Sequence, residues 1–208
     1  MQYFLQGRLD LVKELKKNNQ YVHYSDMVLI LTATLSACAS IRWPGTGFDK
    51  NRFIELLALH SLPSHNTTWV SIPALIMDGK IDKSDSPYGQ DSVGIFIGDE
   101  IDLPIDEAEK KYPSITRKVI RSSTYSFLIY EWLRCGYSHE YLPHSNITEY
   151  KPSNRKANVS YISRGEYDKT RIMTAFHLDY LFALTQFHVE QLPKKQCEKP
   201  SKWWAKSG

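Results

Sequence analysis

Cysteine is scarce in this chain. The 208 residues hold three, Cys38, Cys135 and Cys197, far apart and odd in number. No Cys-x-x-Cys occurs, so neither a disulfide framework nor a structural zinc site is expected. An excess of either charge is also missing. Against 26 lysines and arginines stand 23 aspartates and glutamates, for a net charge of +3. That balance excludes a dedicated nucleic-acid coat and leaves room for a local basic patch. Long hydrophobic runs are absent too: the longest, MVLILTATLSACASI, falls short of the roughly 18 residues that a membrane span needs. The N-terminal MQYFLQGRLDLVKELKKNN is amphipathic and charged, unlike a secretory leader. The expectation is a soluble, cytoplasmic protein with no membrane segment, in which the sequons at Asn66, Asn146 and Asn158 carry no sugar. The GTG at 45–47 lacks the preceding strand and third glycine of a dinucleotide loop.

What is present is ordinary globular material, 42% hydrophobic and 24% charged, long enough to bury a core of its own. Phe4, Leu5, Leu9, Val12 and Leu15 predict a helix over 3–17. Ser25 and Asp26 signal a second helix running to about Arg42, apolar nearly all round and therefore central. Asp49 is the expected cap of a third, KNRFIELLALHS, which Pro63 ends. Residues 63–113 are rich in turn formers around one short apolar piece, Val93 to Ile97, and predict a partly ordered insertion. A long helix is expected from Ser114 to near Pro143. Val159–Ile162 predicts a strand with SRG as its turn, giving at most a small β-hairpin. A last helix is expected from about Lys169 to Gln191 on Ile172, Phe176, Tyr180, Leu184 and Phe187. The sum is a mainly α fold of four to five core helices. It forms one domain over 1–192, with a basic tail at 193–208 that carries Trp203 and Trp204.

The chemistry concentrates where the apolar run TYSFLIYEWLRCGYSHEYLP closes on Arg134 and His139. A guanidinium offers a rigid donor fork for phosphate oxygens. Histidine is the side chain that most readily exchanges a proton near neutrality. The two together suffice for metal-free RNA cleavage, because RNA carries its own nucleophile in the 2′-hydroxyl. On a straight helix, five positions set two side chains about 140° apart; Gly136 could end or distort the helix and bring them together. A second Arg–His pair, Arg171 and His177, lies in the expected last helix and reads as structural. Arg117, Lys118 and Arg121 are candidates to lead an RNA backbone toward Arg134, and Glu140 to orient His139 or offset Arg134. The tail's Lys194, Lys195, Lys199 and Lys202 with the Trp pair could stack bases or dock onto a neighbour.

The stretch YEWLRCGYSHEY resembles the Arg-x4–6-His motif of the HEPN superfamily, and more closely its variants reading Leu-Arg-Cys-Gly-x-x-His-Glu. The resemblance covers about a dozen residues of motif plus the general helical pattern. It implies a HEPN-like bundle of four or five helices with Arg134 and His139 in the two catalytic positions. It further implies a metal-independent endoribonuclease of toxin, defence or stress-response type. Its partners would be RNA, a second copy of the chain in a homodimer and, in toxin–antitoxin systems, an antitoxin or other regulatory protein. No metal or cofactor is implied. Position 135 holds Cys where the family commonly has Asn, Asp or His. Three other readings stand beside this one. Arg134 and His139 could be cations placed favourably at a helix C-terminus. The chain could be a helical interaction module that binds without cutting. It could also be a metal-dependent hydrolase using Asp99, Glu100, Asp102 and Asp106, although Pro104 and the acids after it fit a helix start.

Overall fold

Helices α1 (Gln2–Lys17), α2 (Tyr24–Arg42) and α3 (Asp49–His60) pack in sequence order, with α2 between the other two. The structure is a computed structural model that describes residues 1–17, 24–85, 94–149, 157–166, 169–193 and 199–205. In α1, Leu5, Leu9 and Val12 are buried and their neighbours face solvent, so one stripe contributes about 1.5–3 kcal/mol per side chain. Helix α2 is the hub, packed on α1, α3, α10 (Leu178–Glu190) and the helix at 125–140. At 19 residues it is longer than its apolar run and, by length and composition alone, passes as a membrane span, as core helices of soluble proteins also do; eight of its residues are buried in the bundle. Its hydroxyls are satisfied internally: Thr32, Thr34, Ser36 and Ser40 each donate to the carbonyl four residues back. This lets a polar-flecked helix sit at the centre with those four hydroxyls satisfied. Helix α3 starts one residue earlier than a capping Asp49 would give. Phe48 holds the cap position without a side-chain bond, and Asp49 is instead the first helical residue, paired with Arg52.

The insertion is more ordered than its composition suggests. It carries β1 (Trp69–Val70), α4 (Ile72–Met77), β2 (Gly94–Ile97), α5 (Gly98–Ile101), β3 (Leu103–Pro104) and α6 (Ile105–Lys111). β1 pairs antiparallel with β3, and β2 forms the edge of a three-stranded antiparallel sheet with β4 (Val159–Glu166) and β5 (Lys169–Phe176). The hairpin is therefore longer than expected. SRG lies inside β4, where Arg164 opposes Arg171, and Glu166 opposes Lys169 at the end where the two strands connect. β5 also occupies the first half of the expected last helix; only α10 is helical. The side chain of Arg171, like Cys197, Lys194 and Lys195, lies outside the described residues.

The expected helix from Ser114 is broken. Helix α7 (Arg117–Ser122) stops at Ser123, and Thr124 is extended, bridging to Val70. The cause is local: Ser122 and Ser123 donate to the Val119 carbonyl and Thr124 to that of Arg121, closing the turn on itself. The chain re-enters a helix at Tyr125.

Insertion, sheet and bundle meet at one buried carboxyl. Tyr125 and Tyr161 donate their hydroxyls to Asp102, the latter at 2.5 Å, and the Ile72 amide donates at 3.0 Å. Tyr161 also bonds Ser71 at 2.8 Å. Gly98 makes this possible, because a Cβ there would collide with the Tyr125 hydroxyl. Burial pushes the Asp102 carboxyl up to about 7, against the pull of those three donors. The acidic stretch is thus divided: Asp102 is internal, while Asp99, Glu100 and Asp106 are exposed. Among the described residues no three His, Cys, Asp or Glu converge as metal ligands would.

Candidate functional site

Arg134 and His139 lie on a helix of three parts: α8 (Tyr125–Leu128), a π-helical segment over Ile129–Cys135, and α9 (Gly136–Glu140). Ile129, Tyr130, Trp132 and Leu133 are buried against the bundle, which anchors the segment while its far end reaches the surface. π turns are rare and expose altered side-chain geometry. Tyr130 and Cys135 are five apart in this segment. Burial, with Cys135 next in effect, pushes Tyr130 up to about 12. Cys135 is half-buried.

Arg134 sits at the end of the π segment, half-buried, with its guanidinium 5.5 Å from the centre of the Tyr130 ring. Its Nη1 donates to His139 Nε2 at 3.4 Å, a long hydrogen bond to an exposed imidazole. The two side chains meet although a regular helix would set them about 140° apart. In the tautomer whose proton lies on Nδ1, Nε2 accepts from Arg134.

Gly136 does not end the helix. Its φ of −56° is helical and four more residues follow. Tyr141 ends it with a left-handed φ of 53°, and its hydroxyl donates to Asp26 of α2. Leu142 to His144 then fold back over Gly136, where a Cβ would lie 2.6 Å from the Leu142 carbonyl oxygen. The His144 amide donates to the Trp132 carbonyl at 3.2 Å, and its imidazole stacks on the Trp132 indole at 5.4 Å.

The acid nearest to Arg134 in sequence, Glu131, is paired with Lys50 of α3. Lys50 is itself enclosed by Phe127 at 4.4 Å and Trp204 at 4.7 Å. Among the described residues Arg134 makes no ion pair with a carboxylate. Beside it a small cavity of about 60 Å³ opens between α2 and α3, with Ser36, Asp49, Arg52, Phe53 and Tyr130 on its walls. Neither Arg52 nor Tyr130 was legible as a site residue. Tyr130 lies one turn before Arg134 in the same segment, whereas Arg52 comes beside it through the packing of a helix about eighty residues away in sequence.

The other candidates are placed elsewhere. Arg117 pairs with Glu109 at 3.1 Å, and Lys118 is exposed. Arg121 donates to the Trp203 carbonyl at 2.6 Å and lies over the Trp203 ring, so it holds the tail. Glu140 is exposed. The tail's described part is docked onto its own chain. Trp204 donates to Asn51 at 2.8 Å and packs edge-on to Phe127, while Ser201 donates twice to Glu55. A group of histidines lies apart from Arg134. Buried His188 bonds Ser61 at 2.9 Å near His65, Arg42 and His60; burial first, then the electrostatic effect of those neighbours, pushes it down to about 3. Comparison with protein-family models, curated proteins and solved structures returns no match.

Proposed function

We propose that the chain is a HEPN-like RNA-binding protein that cleaves RNA without a metal, by attack of the ribose 2′-hydroxyl on the adjacent phosphorus. The observation that carries this reading is the meeting of Arg134 with the exposed His139 at 3.4 Å, at the open end of an otherwise buried helix. The unprotonated Nε2 accepts the 2′-hydroxyl proton. The guanidinium fork holds the non-bridging phosphate oxygens as charge builds on them. The O2′–P bond forms and the P–O5′ bond breaks. The 5′-oxygen leaves with a proton from the imidazolium or from water. The products are a 2′,3′-cyclic phosphate and a 5′-hydroxyl end. DNA, lacking the nucleophile, is bound but not cut. One Arg–His pair makes a sparse active site, which supports a homodimer with two motifs at one groove. The setting this reading expects is cytoplasmic defence or stress response, with an antitoxin or other regulatory protein as a further partner.

A second reading is a helical interaction module without catalysis. It draws on the half-exposed apolar groove of about 290 Å³ between α1 and α2, lined by Phe4, Leu29, Ile30 and Ala33. The deciding experiment is incubation of a mixed RNA pool in chelator with wild type, Arg134→Ala and His139→Ala, all three checked for folding by circular dichroism. The ribonuclease reading expects cleavage by wild type alone. Equal behaviour of all three proteins refutes it and leaves the interaction module.

A further inference from the structure

We propose that the cavity between α2, α3 and Arg134 seats a second backbone phosphate of the bound RNA, next to the scissile one, and that Arg52 is its principal ligand. This rests on the RNA-cleaving reading and adds a binding residue to it.

Arg52 is held before any ligand arrives. Its side chain is only 14% exposed. Nη1 donates to the carbonyls of Trp43 at 3.4 Å and Gly45 at 3.0 Å, and Nη2 pairs with Asp49. A guanidinium has five N–H donors. Three are committed to these described partners, which leaves two, one on Nη2 and the one on Nε, for a ligand. Because the fork is already fixed, a ligand bound there loses little side-chain entropy.

Charge and size decide what the cavity takes. Arg52 and Arg134 bring two positive charges to its walls against the single carboxylate of Asp49, which Arg52 already offsets. Glu131, the other acid close in sequence, is neutralised by Lys50. A volume of about 60 Å³ accommodates roughly four water-sized spheres, which matches the oxygens of a phosphate and is too small for a nucleobase. Binding here is therefore to the backbone and carries no base preference. Ser36 contributes shape and no donor, because its hydroxyl proton is given to the Thr32 carbonyl.

The test uses the full-length chain and a fluorescent single-stranded 2′-deoxy oligonucleotide, which cannot be cleaved, titrated by anisotropy at several salt concentrations. Arg52→Gln removes the charge. Ser36→Leu plugs the cavity and leaves Arg52, Arg134 and His139 in place, so it serves even if loss of Arg52 unsettles residues 43–48. Both variants are expected to weaken binding about tenfold or more, the scale of a charge-assisted contact. Arg52→Gln should also lower the salt slope by about one. In RNA cleavage both should raise KM more than they lower kcat. If both bind like wild type while Arg134→Ala abolishes cleavage, the cavity is not a phosphate seat and the ribonuclease reading survives. If wild type neither binds the oligonucleotide nor cuts RNA, both readings fall together.

Discussion

Two buried groups should act on stability in opposite directions across mildly acidic pH, and the substitution Asp102→Asn exposes the opposition. Asp102 has its carboxyl raised from 3.8 to about 7 by burial, with Tyr125, Tyr161 and Asp99 as the titratable groups around it. Its protonated form is favoured in the fold. The associated stability is complete below pH 3.8 and is lost as pH rises through about 7, some three units or about 4 kcal/mol. His188 is lowered from 6.5 to about 3. Its neutral form is favoured in the fold, so that stability is complete above 6.5 and is lost as pH falls toward 3, about 5 kcal/mol. Between pH 4 and 6.5 folding takes up one proton at Asp102 and releases one at His188, so the two slopes cancel. Asp102→Asn removes one side of the balance. Relative to wild type, the variant should lose about 3 kcal/mol between pH 6.5 and pH 4. His188→Gln, which can keep the bond to Ser61, should shift the difference by a similar amount in the other direction. His60 and His65 are also lowered by burial; they drop out of the Asp102→Asn difference, while their coupling to His188 enters the His188→Gln one. Urea denaturation at half-unit pH steps, followed by tryptophan fluorescence, measures both. An Asp102→Asn profile parallel to wild type refutes the reasoning.

Three further outcomes are expected. Gly136→Ala puts a methyl 2.6 Å from the Leu142 carbonyl. It should cost about 1–3 kcal/mol and disturb the stacking of His144 on Trp132, read by thermal denaturation and by the fluorescence of that indole. Trp204→Ala removes the Asn51 bond and the aromatic wall over Lys50; loss of a half-buried indole should lower stability by about 1–3 kcal/mol in denaturant titration. RNA cleavage should persist at full rate in excess chelator, whereas a hydrolase built on the acidic middle would stop.

The parts of the fold written in single stripes were legible. Leu5, Leu9 and Val12 marked α1, and the apolar α2 was rightly expected at the centre. What failed were segments whose pattern fits two periods. Ile172 and Phe176 are four apart, as on a helix face, yet Ile172, Thr174 and Phe176 are buried at every second position of β5. The break after α7 was hidden because its cause is three hydroxyls bonding backward, not a glycine or proline. The motif at 134–139 was visible as residue types, but the π segment that precedes it leaves no compositional mark. Gly136 was noticed for the wrong reason: it makes room for Leu142–His144, and that need arises only once the chain doubles back. Arg121 was read as a guide for RNA and in fact holds Trp203, a partner 82 residues away. Arg52 escaped notice for the same reason, since only the packing of α3 on the 125–140 helix brings it to Arg134.

The most direct test of the central claim is the chemistry of the cut ends. An RNA oligonucleotide that wild type cleaves at one position is compared, in chelator, with the same oligonucleotide carrying a single 2′-deoxy residue 5′ to that bond. The account predicts a 2′,3′-cyclic phosphate and a 5′-hydroxyl from the first, and no cleavage at that bond in the second. Cleavage of the substituted bond, or ends bearing a 3′-hydroxyl and a 5′-phosphate, would contradict it.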